Sequence, residues 1–188
     1  MSAVIDENPP AAAAAKKKRS RRQLIEWGVV IVAALLTAMV LRLAVVQAFS
    51  IPSISMERTL LVGDRVLVNK LNKKVHHGDV IVFERPPGEE AAAIKDLIKR
   101  VIALPGETVS TKDGKLYVND KQLSEPYLQP GTQTVMDHPV TVPKGHVWVM
   151  GDNRTQSRDS RFFGPINQSL IVGHAFIRVW PPNRFGGI

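Results

Sequence analysis

The chain has 188 residues, 44% of them hydrophobic and 22% charged, which leaves room for one domain of ordinary size with an anchor and a tail. It contains no cysteine, so disulfides, thiol catalysis and cysteine-based metal sites are excluded. The net charge of +8 is unevenly placed: residues 1–22 carry +4 and the rest of the chain the other +4. The bulk is therefore only mildly basic, and no nucleic-acid partner is expected.

In chain order, residues 1–23 read as a basic, solvated cytoplasmic tail. Asp6 and Glu7 are outweighed by the run from Lys16 to Arg22, and the alanines at 11–15 have the composition of a spacer. Residues 24–47 read as a single transmembrane helix. Trp27–Val46 is apolar except for Thr37 and Arg42. As a helix it would be roughly 30 Å long, the thickness of the hydrocarbon layer. Arg42 lies near one end and can snorkel to the interface. The basic cluster precedes the span, so the N-terminus is expected in the cytoplasm and the remainder on the outer face of the cell membrane. A cleavable secretory signal is the alternative, since Val46-Gln47-Ala48 has the form of a small-x-small cleavage site. The length of the apolar segment and the position of Arg42 favour a retained anchor.

Residues 48–188 change character, with short apolar runs broken by turn-forming residues. Strands are predicted near Arg65–Asn69, Asp79–Phe83, Asp96–Leu104, Glu107–Thr111, Lys115–Val118, Val140–Val142, His146–Met150 and Gly173–Trp180. Asp113-Gly114 between two such runs signals a tight hairpin. No convincing helix follows the anchor. The prediction is a mostly β, antiparallel domain on the outer face.

Four segments of this domain carry chemical interest. The first is residues 50–60 (SIPSISMERTL), with three serines in six residues, which alone could be polar linker. The second, residues 63–70 (GDRVLVNK), reads as a turn and a strand. The third is residues 99–107 (KRVIALPGE), where strand alternation places Lys99, Val101 and Ala103 on one face. A lysine on that face either snorkels at an edge or is held in an apolar pocket. The fourth is residues 150–161 (MGDNRTQSRDSR), dense in hydrogen-bonding groups as a structured loop or a site wall would be.

In this order and after an anchor, the segments resemble the motifs of bacterial type I signal peptidases. Pro52 through Leu60 is similar to the family's nucleophile box, Lys99-Arg100 through Pro105-Gly106 to its lysine box, and Gly151 through Arg161 to its last box. The resemblance implies a membrane-bound serine endopeptidase with a β-rich catalytic domain. It would remove signal peptides from exported preproteins after small-x-small (Ala-x-Ala) sites, near membrane lipid and the secretion translocon, without a cofactor. It implies Ser55 as nucleophile and Lys99 as general base, a variant of triad logic. Ser157 would orient the Lys99 amine, Asp159 and Arg161 would form a supporting ion pair, and the Ser55 N–H and Ser53 hydroxyl would hold the oxyanion. The base must be neutral to act; lowering a lysine pKa to about 8 by burial costs roughly 3 kcal/mol. Shallow pockets for the substrate's small residues are expected around Ile54 and the Val101/Ala103 strand. None of the five histidines lies in these motifs.

One position departs from the family pattern: Arg58 stands where the family usually has proline. Three other readings stay open at this stage. One is a related Ser-Lys fold of self-cleaving repressors, which are soluble. The others are a non-enzymatic anchored scaffold and a slow or inactive relative.

Overall fold

The structure, a computed structural model, describes residues 23, 25–40, 45–88 and 94–188. The chain divides into two compact units, Met1–Ala44 and Val45–Ile188.

In the first unit, residues 25–40 are helical (α1). The large apolar side chains of this helix, from Ile25 and Trp27 to Met39 and Val40, are all exposed. No helix among the described residues is long and apolar enough to cross a membrane. Of the predicted anchor, residues 24 and 41–44 lie outside the described residues, as does the predicted tail apart from Gln23. At its other end the predicted span is too long. Val46 and Gln47 belong to a strand, β1 (Val46–Ser50), because their backbone pairs with residues 68 and 69 of β2 (Arg65–Asn69).

The second unit is built almost wholly of antiparallel strands. After β2 come β3 (Val80–Glu84), β4 (Asp96–Ala103), β5 (Thr108–Lys112), β6 (Lys115–Val118), β7 (Lys121–Gln122), β8 (Val140–Thr141), β9 (His146–Met150), β10 (Ile166–Asn167), β11 (Ile171–Trp180) and β12 (Gly186–Gly187). The larger sheet runs β1-β2-β11-β3-β4-β9-β10, with β12 paired to β11; the smaller runs β7-β6-β5-β8. The one α-helix described in this unit, α2 (Ser160–Phe163), is a single turn. The mostly β expectation holds, and each predicted strand is present within two residues of its expected bounds.

Local chemistry explains the elements that frame the site. In β2, Val66 and Val68 are fully buried while Arg65 faces out, the alternation a half-buried strand requires. Asp113 and Gly114 both take positive φ, 51° and 73°, and close the β5–β6 hairpin as a two-residue turn matched to strand twist. Three apolar clusters fill the unit. One gathers Ile51, Met56, Leu60, Val66 and Val68, and a second gathers Ile81, Phe83, Val101, Val147 and Val149. The third lies under the small sheet around Ile102, Leu116 and Trp148.

The β4–β9 ladder contains an irregularity between Val101 and Ala103. This corrects the predicted alternation. Beyond Val101 the strand bulges, so that Ile102 and Ala103 pack in the same cluster rather than on opposite faces.

Candidate active site

The segment after β1 is pinned at both ends. Ile51 N donates to Asp64 O at 2.9 Å, and Gly63 N to Ile51 O at 2.9 Å. Met56 and Leu60 are wholly buried in the first cluster. Between these anchors, Ile54–Met56 forms one 3-10 turn led by Ser53, whose hydroxyl does not cap it. That hydroxyl lies 3.2 Å from the Ser55 Oγ instead.

Ser55 and Lys99 are both buried and meet across a long stretch of chain. Lys99 Nζ donates to Ser55 Oγ at 2.6 Å and to the Ile98 carbonyl at 3.0 Å. Lys99 sits mid-strand in β4, directly across the ladder from Ile81. Ile81 and, two residues along, Val101 share its face of the sheet, and both are fully buried. Burial among such groups disfavours the ammonium and lowers the Lys99 pKa from 10.5 to about 8. The negative charges of Asp159 and Asp152 pull the other way but do not overcome it. Of the two options for a lysine on this face, the apolar pocket is the one realised.

The last motif wraps this pair. Asn153 N donates to the Ser55 carbonyl at 3.1 Å, tying the loop to the serine's turn. Gly151 N donates to Asp159 Oδ2 at 2.9 Å, and Asp159 also caps the first turn of α2. The expected Asp159–Arg161 pair is present: Nε and Nη2 of Arg161 each donate to the carboxylate at 2.9 Å. Gly151 must be glycine, since a Cβ there would come within 3.0 Å of Ser157 Oγ and of the Ser55 carbonyl oxygen.

Ser157 departs from expectation. It is buried in this loop, but its Oγ has no hydrogen-bond partner among the described residues, and Lys99 spends its donors on Ser55 and Ile98. The substrate-pocket expectation is also corrected in part. Ile54 is 43% exposed and accessible, whereas Val101 and Ala103 are 0% exposed and cannot line an open pocket. The bulge that turns Ala103 into the third cluster is the physical reason for its loss.

Sequence reasoning passed over a second buried polar assembly. Arg100, next to Lys99 but on the opposite face, grips Asp152 through Nε at 2.9 Å and Nη2 at 2.7 Å. Asp152 also accepts from the Thr59 hydroxyl, and the Arg100 guanidinium lies 4.1 Å from the Tyr127 ring centre. Burial opposes the Arg100 charge, yet Asp152 more than offsets this and its pKa is raised. Beside it, buried Arg154 pairs with Glu125 and donates to Thr134 Oγ1 at 2.6 Å. The signal available in the sequence was one opposite charge in each of two motifs, Arg100 and Asp152. The histidines lie elsewhere: His76 and His174 face Asp79, and His77 faces Glu107.

The family model described as signal peptidase, peptidase S26, matches residues 24–180. The chain belongs to that family. It is an enzyme, a serine protease of the signal peptidase I class. A probable signal peptidase I-1 of Synechocystis is 41% identical over 162 residues, covering 83% of this chain and 82% of the relative. Signal peptidase I V of Bacillus subtilis is 39% identical over 163 residues, covering 78% of this chain and 94% of its own. A crystal structure of a signal peptidase I from Enterococcus faecalis aligns with a TM-score of 0.46 at 34% identity, covering 54% of this chain and 96% of that one. Membership of this family sets the soluble-repressor and scaffold readings aside.

Proposed function

We propose that the chain is a membrane-bound endopeptidase that removes signal peptides from exported preproteins after small-x-small sites, using Ser55 as nucleophile and Lys99 as general base. The observation that carries this reading is the buried 2.6 Å contact between Lys99 Nζ and Ser55 Oγ. With the amine neutral, its lone pair takes the Ser55 proton as Oγ attacks the scissile carbonyl. The oxyanion develops against the Ser55 N–H and the Ser53 hydroxyl, which already lies beside Oγ. The resulting ammonium gives its proton to the leaving amine. Neutral again, Lys99 activates the water that releases the acyl group.

The exposed Ile54, next to the nucleophile, supplies an apolar wall for the small residue before the cut. The basic N-terminal run and the apolar segment support a single membrane pass with the peptidase domain on the outer face. Ser55 follows the apolar segment after only a short stretch of chain, which suits a site near the membrane surface where a signal peptide's own apolar segment ends. Preprotein signal peptides, membrane lipid and the neighbouring secretion translocon are the partners this position favours.

The test is cleavage of an Ala-x-Ala preprotein by the full chain in detergent, with Ser55→Ala and Lys99→Ala alongside. Wild type alone should cut, between the expected residues. Cleavage by folded Lys99→Ala at the wild-type rate would remove the lysine from the mechanism, and acceptance of Leu or Phe in place of the Ala residues would remove the small-residue rule.

A further inference from the structure

The turn that carries Ser55 runs directly into an open groove. Glu57, Arg58, Leu61, the loop at 129–133, Asn153 and Thr155 line it. It encloses about 660 Å³, within the range of about 300–1,000 Å³ typical of ligand sites. It joins the serine's turn through the backbone, because Asn153 N donates to the Ser55 carbonyl at 3.1 Å.

The charges around this groove are not equivalent. Asp152 is committed to Arg100, and Arg154 to Glu125. Arg58 lines this groove and a neighbouring one; its guanidinium donates to the Leu128 carbonyl, a neutral partner that leaves the charge in place. Glu57 remains. Its carboxylate is exposed, forms no ion pair among the described residues, and is steadied by Asn153 Nδ2, which donates to it at 3.2 Å.

We infer that this groove holds the polypeptide immediately after the cleaved bond, and that Glu57 there favours basic over acidic residues. The inference rests on the proposed reading of Ser55 as the nucleophile. The two halves of such a substrate differ in chemistry. The half before the cut is small and apolar, and laid against Glu57 it would strip a carboxylate of water without replacing its partners. The half after the cut begins a mature polypeptide, which a groove lined by Glu57, Gln129, Gln133, Asn153 and Thr155 solvates and orients. Glu57 also lies only two residues along the chain from the nucleophile, and a carboxylate there would favour the freed α-ammonium too.

The experiment uses three preproteins identical through the cut, with Lys, Gln or Asp at the second and third positions after it. Each is cleaved by the full chain in detergent, and kcat/KM ratios are taken within each enzyme preparation, so partly folded material cancels. At low salt the Lys substrate is expected to exceed the Asp substrate about two- to fivefold, the size of an exposed charge pair. That ratio should shrink as salt screens it. Glu57→Gln should bring the ratio near one and Glu57→Lys should invert it. Thr155→Lys, elsewhere in the lining, should lower it while leaving Glu57 in place. Equal cleavage of all three substrates by wild type, or a preference that survives both Glu57→Lys and Thr155→Lys, overturns the inference. Failure of wild type to cut even the Gln substrate, or cutting that persists in Ser55→Ala, overturns the underlying reading instead.

Discussion

Replacing Lys99 by Met should destroy activity and stabilise the fold, and the size of that gain follows from the site. The folded-state pKa of Lys99 is about 8 against 10.5 for a free lysine. A depressed lysine pKa means the unfolded chain binds the proton more tightly, so stability contributed by this group is fully present above about pH 10.5 and is lost as pH falls toward 8. Below that window the native state carries a penalty of about 3 kcal/mol. Met fills a similar volume without charge, but the variant also loses the hydrogen bonds to Ser55 Oγ and the Ile98 carbonyl, worth about 1 kcal/mol each. The net expectation is a gain of about 1 kcal/mol at pH 7 that turns to a loss of about 1–2 kcal/mol near pH 10.5, once the ionisation penalty has gone and the lost hydrogen bonds remain. Urea unfolding of wild type and Lys99→Met in one detergent, at pH 7 and at pH 10.5, measures it. A variant less stable than wild type at pH 7, with a difference indifferent to pH, would refute the claim that burial rather than pairing sets the lysine's proton affinity.

Other expectations follow from neighbouring geometry. The kcat/KM of wild type should rise with pH along a limb centred near 8, since only the neutral Lys99 amine accepts the serine proton; a stopped assay between pH 6 and 10 suffices, and a flat profile would contradict it. Gly151→Ala should cost at least about 2 kcal/mol and most of the cleavage activity, because the new methyl collides with the Ser55 carbonyl oxygen, which is backbone and has no rotamer to escape through. Thermal melting alongside cleavage checks both effects. Arg58→Pro should lower stability by about 2–3 kcal/mol, because proline fixes φ near −65° and cannot adopt 82°. Arg58→Gly should stay within about 1 kcal/mol of wild type, relief of strain offsetting the lost bond to Leu128; equal melting temperatures for the two variants would show that the turn readjusts freely.

How much of this was legible depends on whether the signal was local. The strands at 65–69, 115–118 and 146–150 announce themselves through alternation and flanking turns, and the structure reproduces them residue for residue. The two-residue strands β7, β10 and β12 carry too few residues to show a period. Strand β1 was hidden at the end of an apolar run, where Val and Ala suit either a helix or a strand until β2 supplies backbone partners. The same pairing places Val46-Gln47-Ala48, read in the sequence as a small-x-small site, inside a hydrogen-bonded strand and not in an extended loop. The bulge after Val101 is set by packing against β9 and the third cluster, and no residue type there marks it. The Ser55–Lys99 pair was accessible only through family resemblance, since 44 residues separate them and neither is unusual where it stands.

That separation also explains why so much polar machinery surrounds two side chains. A buried amine is kept closer to neutral by apolar neighbours, and any nearby carboxylate works against them. Asp159 and Asp152 are nevertheless indispensable to the frame: one holds the Gly151 N–H and caps α2, the other fixes Thr59 just beyond the nucleophile's turn. Each is matched by its own arginine, Arg161 and Arg100, in a two-pronged pair that shortens the reach of its field. Removing either arginine would leave an uncompensated buried carboxylate, which is costly in itself and pulls Lys99 back toward the ammonium. On the proposed mechanism the two ion pairs would support catalysis indirectly, since they let the loop be held by carboxylates while burial still lowers the lysine's proton affinity.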